Sequence, residues 1–273
     1  MRAALVIAAL GGIFCFEPCT ASVPRQLREI LTVCADPNNL PFSNRAEEGF
    51  ENKISNLIAS DLHARIHYVW WAQRRGYVRN TLNEAQCDLW PGVAAGVDRV
   101  ATTHSYYRST YVFVTRMDKP LAHLTLDDRR LAKASIGVQM IGTNAQNTPP
   151  AHAIADRGLI DNVHGYMVYG DYRDPNPPAA IVTAVTAGDI DVGLVWGPLA
   201  GFFAERSKVK LRVEAITPDQ DVRWPMRFAI AMGVRPNDPA LLARINAILE
   251  NEKLNIARIL SAYHVPQLSA DQG

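Results

Sequence analysis

Two kinds of side chain in this sequence could do chemistry at a shared surface: aromatics with a polar tip, and a few acids and bases that could be brought beside them. Trp70, Trp71, Tyr106, Tyr107, Tyr111, Tyr169 and Tyr172 are of the type that lines a half-wet cleft, because each buries a large apolar face and keeps one hydrogen-bonding atom. The same residues would also serve as core. Along a strand Trp70 and Trp71 must face opposite ways, so one of them packs inward, and Trp71 is assigned to the cleft side. Asp36 and Asp171 are the carboxylates available for acid or base work, but Asp36 opens the turn sequence Asp36-Pro37-Asn38-Asn39, where its side chain is suited to capping backbone amides. No serine or cysteine nucleophile with a nearby base can be argued. No catalytic residue is therefore assigned, and the chain is expected not to be an enzyme.

Metal and nucleic-acid chemistry are equally unsupported. The seven histidines are scattered, His63 and His67 straddle a helix end and the next strand, and no Cys or His group has zinc-ligand spacing. No cofactor is expected. The formal charge of +1, from 28 basic and 27 acidic side chains, lacks the basic footprint of a nucleic-acid partner. Gln73-Arg74-Arg75 with Arg79 forms either a solvated loop or a basic rim for an acidic partner.

The ends and the length bound the setting. Arg2 precedes the apolar run Ala3 to Phe16 and then Cys19-Thr20-Ala21, the pattern of a cleaved signal peptide over 1–21, so the expected location is the periplasm. Neither Cys15 nor Cys19 follows the small residue a lipoprotein needs. No later stretch approaches the roughly 18 apolar residues of a membrane span. Cys34 and Cys87 then remain in an oxidising compartment, as a bridge or a free buried pair. With 273 residues, two domains are expected; the chain is also expected to be a monomer.

The elements that must position these groups follow from periodicity. Leu31 to Ala35 reads as a strand ending in the Asp36 turn. Phe50, Ile54, Leu57, Ile58 and Leu62 fall on one face of a helix, with Glu51, Lys53, Asn56 and Asp61 opposite. Arg65 to Trp71 reads as a strand, Gly76 to Glu84 as a helix and Cys87 to Trp90 as a third strand. This βαβαβ order demands parallel strands, whose ligands sit beyond the carboxyl ends, near Asp36, Trp71 and Gly92. A second unit follows: Tyr111 to Arg116 leads out, and Ser135 to Met140 is a strand. Thr148 caps a helix starting at Pro149 and closed by Gly158. Ala179 to Ala187 is a helix stopped by Gly188, Asp191 to Trp196 a strand, and Gly197 to Arg206 a helix. Phe228 to Val234 leads back, and Asp238 caps the first of two terminal helices. The crossings are expected near Arg116 and Ala231.

With the strand, Asp36-Pro loop, Phe42, Gly49-Phe50-Glu51, Val97-Asp98-Arg99 and Ser105-Tyr106-Tyr107 in that order, the chain from about Leu31 to about Tyr263 resembles the amino-acid-type solute-binding proteins. A narrower resemblance rests on the segments beginning Cys34-Ala-Asp-Pro, Trp70-Trp-Ala-Gln-Arg-Arg-Gly-Tyr, Tyr106-Tyr-Arg-Ser-Thr-Tyr, Asn147-Thr-Pro-Pro, Tyr169-Gly-Asp-Tyr and Trp196-Gly-Pro. These look like the accessory proteins of pyrroloquinoline-quinone (PQQ) methanol dehydrogenase systems, the MxaJ/XoxJ group. The resemblance implies a two-lobed periplasmic binding protein of type II, α/β in class, each lobe a mainly parallel sheet flanked by helices. Lobe 1 would comprise 22–115 plus 232–273 and lobe 2 116–231, joined by a two-segment hinge. The implied partners are a PQQ methanol dehydrogenase, lanthanide- or calcium-dependent, or its cytochrome c, with a small ligand as a further possibility. The alternative is the substrate-binding component of an ABC transporter for a small aromatic or acidic solute.

In amino-acid-binding relatives the arginine matching Arg99 grips the substrate carboxylate, as a planar guanidinium can; a structural ion pair with Asp98 or Glu47 is the other reading. The aspartate that pairs the substrate ammonium in those relatives is matched here by Trp196, so an ordinary amino acid is a poor ligand. The strand order of this fold puts Cys34 and Cys87 on neighbouring strands and favours a disulfide. The cleft is expected to draw Asp36, Asn38, Phe42, Trp71, Arg75, Arg99, Tyr106 and Arg108 from the first lobe, and Asn144, Tyr169 and Trp196 from the second.

Overall fold

A computed structural model describes residues 29–98, 100–142, 147–169, 172–218 and 223–268; the leader expected over 1–21 and the residues Arg99, Asn144 and Asp171 lie outside them. The apolar run after Glu29 forms β1 (Ile30–Ala35), and the turn residues beyond it make a miniature ladder of β2 (Asn38–Asn39) and β3 (Ser43–Asn44). Helix α1 (Phe50–Asp61) starts after Gly49. Asn52 Oδ1 accepts the N–H groups of Gly49 and Asn44, each at 3.2 Å, which satisfies the N-cap donor that the helix cannot pair for itself and ties β3 to the helix start. Strand β4 (Arg65–Trp70) pairs in parallel with β1 along its whole length.

The expected helix from Gly76 to Glu84 is a single turn, α2 (Tyr77–Asn80). Thr81 Oγ1 donates to the Tyr77 carbonyl at 2.6 Å, a local side-chain bond that competes with helix continuation. Strand β5 (Leu89–Ala94) lies parallel to β1 with Leu89 opposite Val33, and β6 (Ala101–Thr102) is a two-residue bridge. Cys34 at the end of β1 and Cys87 just before β5 are both buried and joined as a disulfide, with 5.6 Å between their Cα atoms.

Strand β7 (Tyr107–Arg116) then carries the chain into a second unit of β8 (Ile136–Met140), α3 (Pro149–Asp156), β9 (Val163–Met167), α4 (Ala180–Ala187), β10 (Val192–Trp196), α5 (Gly197–Glu205) and β11 (Leu211–Ala215). Strand β12 (Arg227–Val234) brings it back to α6 (Pro239–Asn251), which Asp238 caps through the Leu241 N–H at 3.1 Å, and to α7 (Lys253–Ala262). The strand order is β4-β1-β5-β12-β7-β10-β8-β9. β12 is antiparallel to β5, and β7 to β10; β1 pairs in parallel with β4 and β5, and β8 with β9 and β10. This is the mixed α/β, two-lobed architecture of a binding protein.

One strand serves both lobes. Tyr107 to Thr110 pair with β12, whereas Tyr111 to Arg116 pair with β10 and β11. On the return path Arg227 sits opposite Thr110. We infer the lobe boundaries from these two points, ahead of Arg116 and Ala231. In the first lobe α1, α6 and α7 bury Phe50, Ile54, Ile245 and Leu260 against Leu31, Val33, Leu89 and Met232. The second sheet is covered on both faces: Phe113, Ile136 and Leu194 pack with Leu126 and Ile154, and Val112, Val114 and Val195 pack with Ile181, Val185 and Leu199. Alternate residues of β7 therefore face two cores, so its centre reads as a continuous apolar run.

Candidate functional site: the interlobe cleft

The cleft is built from residues just past the carboxyl ends of strands. β1 ends at Ala35, which places the buried Asp36 at the floor of the first-lobe loop. Ser43 Oγ accepts the Asp36 N–H at 3.1 Å and donates to the Asp36 carbonyl at 2.9 Å. The carboxylate accepts the Asn38 N–H on Oδ1 at 2.9 Å and the Gln73 N–H on Oδ2 at 2.7 Å. It is thus the brace expected of a turn aspartate, tying the ends of β1 and β4 together. Across the cleft, β10 ends at Trp196, whose N–H donates to Gln139 Oε1 at 2.7 Å. Thr148 does not cap α3 with its hydroxyl; it donates instead to the Gln139 carbonyl. The Tyr169 hydroxyl donates to the Ile141 carbonyl at 2.7 Å.

These elements enclose a cavity of about 190 Å³, lined from the first lobe by Asp36, Asn39, Phe42 and Gln73, and on the other side by Tyr111, Gln139, Val168, Tyr169, Trp196 and Leu199. Its base is aromatic. The Tyr111 and Trp196 rings meet edge to face with centroids 5.1 Å apart, and Phe228 stands 6.0 Å from Trp196. Burial drives the Tyr111 phenol well above its ordinary range, so it is neutral and can only exchange hydrogen bonds.

The mouth is latched by a segment between β9 and α4. The Tyr172 hydroxyl donates to Asp36 Oδ2, while Asn38 Nδ2 donates to the Asp174 carbonyl at 2.8 Å and Asn38 Oδ1 accepts the Asn176 N–H at 3.2 Å. The Arg74 guanidinium lies 4.7 Å from the Tyr172 ring centre and 5.6 Å from that of Tyr169, a cation–π arrangement across the cleft. Burial first, and the bond to Asp36 second, raise the Tyr172 phenol far above its usual range.

Of the residues expected in the cleft, Asp36, Phe42, Tyr169 and Trp196 meet at the cavity and Asn38 bridges its mouth. Trp71, Arg75, Tyr106 and Arg108 stand elsewhere. Trp71 lies one residue beyond β4 and is 44% exposed, and the next turn brings Gln73 to the cavity in its place. Trp70 stacks on Tyr68 at 4.7 Å. Arg75 is exposed and lines a neighbouring groove rather than the cavity. Tyr106 packs on the first-lobe core, edge to face with Tyr107 at 5.0 Å. Arg108 pairs with Ala229 within the β7–β12 ladder and is absent from the cavity lining. Arg99 and Asn144 are outside the described residues. Gln73, Gln139 and Tyr172 carry functional geometry that periodicity could not flag, since each acts from a turn or through a partner distant in sequence.

Glu51 corrects a second expectation. The helix pattern assigns it to the solvent face of α1, yet it is only 4% exposed. The first turn of α1 is covered on its polar side by β5, where Gly92 (φ 74°) leaves room for the carboxyl; a Cβ on Gly92 would run into it. Tyr77, Tyr106 and Tyr107 are buried around it, close enough for its charge to raise their phenols further. Desolvation, and then the neighbouring Asp36 charge, push the Glu51 carboxyl up to about 8. It therefore holds a proton at neutral pH beneath the loop that floors the cleft.

Among the described residues no cluster of three or more His, Cys, Asp and Glu could hold a metal ion, and no helix is long and apolar enough to cross a membrane. Two mainly parallel lobes, joined by two strands and closing on a cleft at the strand ends, define a periplasmic binding protein. Within that class the chain belongs to the MoxJ/XoxJ/MxaJ family. It is 34% identical over 250 residues to the protein MoxJ of Methylorubrum extorquens, covering 87% of this chain and 81% of that protein. The crystal structure of the periplasmic binding protein XoxJ from Methylobacterium extorquens AM1 is 36% identical, with a TM-score of 0.72 over 88% of this chain and 99% of that one. MxaJ from Methlophaga aminisulfidivorans MPT is 25% identical, with a TM-score of 0.73 over 87% of this chain and 100% of that one. No family model matches the chain.

Proposed function

We propose that the chain is a periplasmic, solute-binding-protein-like accessory component of a PQQ-dependent methanol or alcohol dehydrogenase system. It works by binding rather than catalysis, and its partner is the dehydrogenase or its cytochrome c, engaged around the aromatic interlobe cleft. Family membership supports the setting. The observation that carries the reading is the replacement of an ion-pairing site by Trp196: the carboxylate lining the cavity, Asp36, already accepts from Asn38, Gln73 and Tyr172. A ligand ammonium would have to displace those donors. The cavity of about 190 Å³ is also below the roughly 300 Å³ at which common ligand pockets begin, which weighs against a transporter receptor for a sizeable solute.

The test is affinity capture from periplasm with the mature protein as bait, read by mass spectrometry. A quinoprotein dehydrogenase or its cytochrome is the expected prey. Recovery of transporter membrane subunits instead, together with a melting temperature raised by a small solute through mass action, would replace this reading with the transporter one.

A further inference from the structure

Beside the mouth of the cleft, the turn from Gln73 to Arg79 and the ring of Trp90 line a groove of about 590 Å³. Arg75 and Arg79 stand four residues apart across the single turn of α2, and both are exposed. Arg74 adds a third cation to the lining, and no Asp or Glu lines the groove among the described residues. With a net charge of only +1 over the whole chain, this is a local concentration of positive charge rather than part of a general basic field. Guanidinium forks lining one groove are matched to carboxylates, which each can hold in bidentate fashion.

The groove also touches the latch. Gln73 lines both it and the interlobe cavity, and Arg74 stacks over Tyr172, whose hydroxyl donates to Asp36. We propose that this groove seats an acidic loop or tail of the protein partner, and that docking there is communicated through Arg74 to the contact between the lobes. The proposal rests on the accessory-protein reading and adds to it a surface distinct from the cavity.

The experiment measures binding of the purified dehydrogenase and, separately, of its cytochrome c to the immobilised mature protein by biolayer interferometry at low and high salt. Wild type is compared with R75E/R79E and with K253E/R258E, a charge reversal on the remote helix α7. The groove variant is expected to weaken the complex by about tenfold or more, with a shallower salt dependence, while the α7 variant stays within about twofold. Circular dichroism and melting confirm that both variants fold. A complex that tolerates R75E/R79E as well as K253E/R258E overturns the groove and leaves the accessory function standing. No complex with either protein overturns both.

Discussion

Glu51→Gln is the substitution whose consequence can be worked furthest. The carboxyl moves from its ordinary 4.5 to about 8 on folding, so the folded protein holds this proton more tightly than the unfolded chain does. The native state suffers no loss from this group below about pH 4.5. Stability falls as pH climbs between 4.5 and 8, then levels off once both states have released the proton. At roughly 1.4 kcal/mol per pH unit, the full loss is about 5 kcal/mol, of which about 3 has accrued by pH 7. Glutamine keeps the shape and carries no titrating proton. The difference in unfolding free energy between Glu51→Gln and wild type should therefore grow in favour of the variant by about 4 kcal/mol from pH 5 to pH 9. Urea denaturation followed by tryptophan fluorescence at pH 5, 7 and 9 measures it, and the pH 5 value isolates any packing effect of the amide itself. Parallel pH dependences for the two proteins would refute the assignment of a buried, protonated Glu51.

Two further outcomes follow from the contacts. Tyr172→Phe removes the hydroxyl donated to Asp36 while keeping the ring beneath Arg74; a hydrogen bond to a charged group contributes roughly 1.5–3 kcal/mol, so the ratio of closed to open lobes should fall by about tenfold or more. Small-angle X-ray scattering should report a larger radius of gyration, and an unchanged profile would exclude Tyr172 as a latch. Replacing both Cys34 and Cys87 by alanine opens a loop of sequence separation 53, which the chain-entropy model values at about 4 kcal/mol; an unaltered urea midpoint under otherwise equal conditions would contradict that contribution.

The parts of the fold legible in the sequence are those where one residue's neighbours along the chain decide its environment. β1, β10 and the apolar face of α1 are of this kind. Strands β9 and β11 are not legible in this way: their residues are half-exposed or exposed throughout, so neither alternation nor an apolar run marks them. Glu51 shows the complementary failure. Helical periodicity fixes its angle about the axis of α1 but says nothing about what packs there, and the chain that covers it arrives some 40 residues later at Gly92. The cleft compounds both difficulties. Its floor residue Asp36 is readable as a turn brace, yet its interlobe partner Tyr172 lies 136 residues away, in a turn. Trp196 was found by position, but its N–H is held by Gln139, which reads only as a polar residue within a strand. A binding protein's cleft is assembled by closing two lobes, so its composition is set by pairs of loops that no local pattern links. Resemblance could name such pairs in advance, whereas periodicity could name only the strands that end beside them.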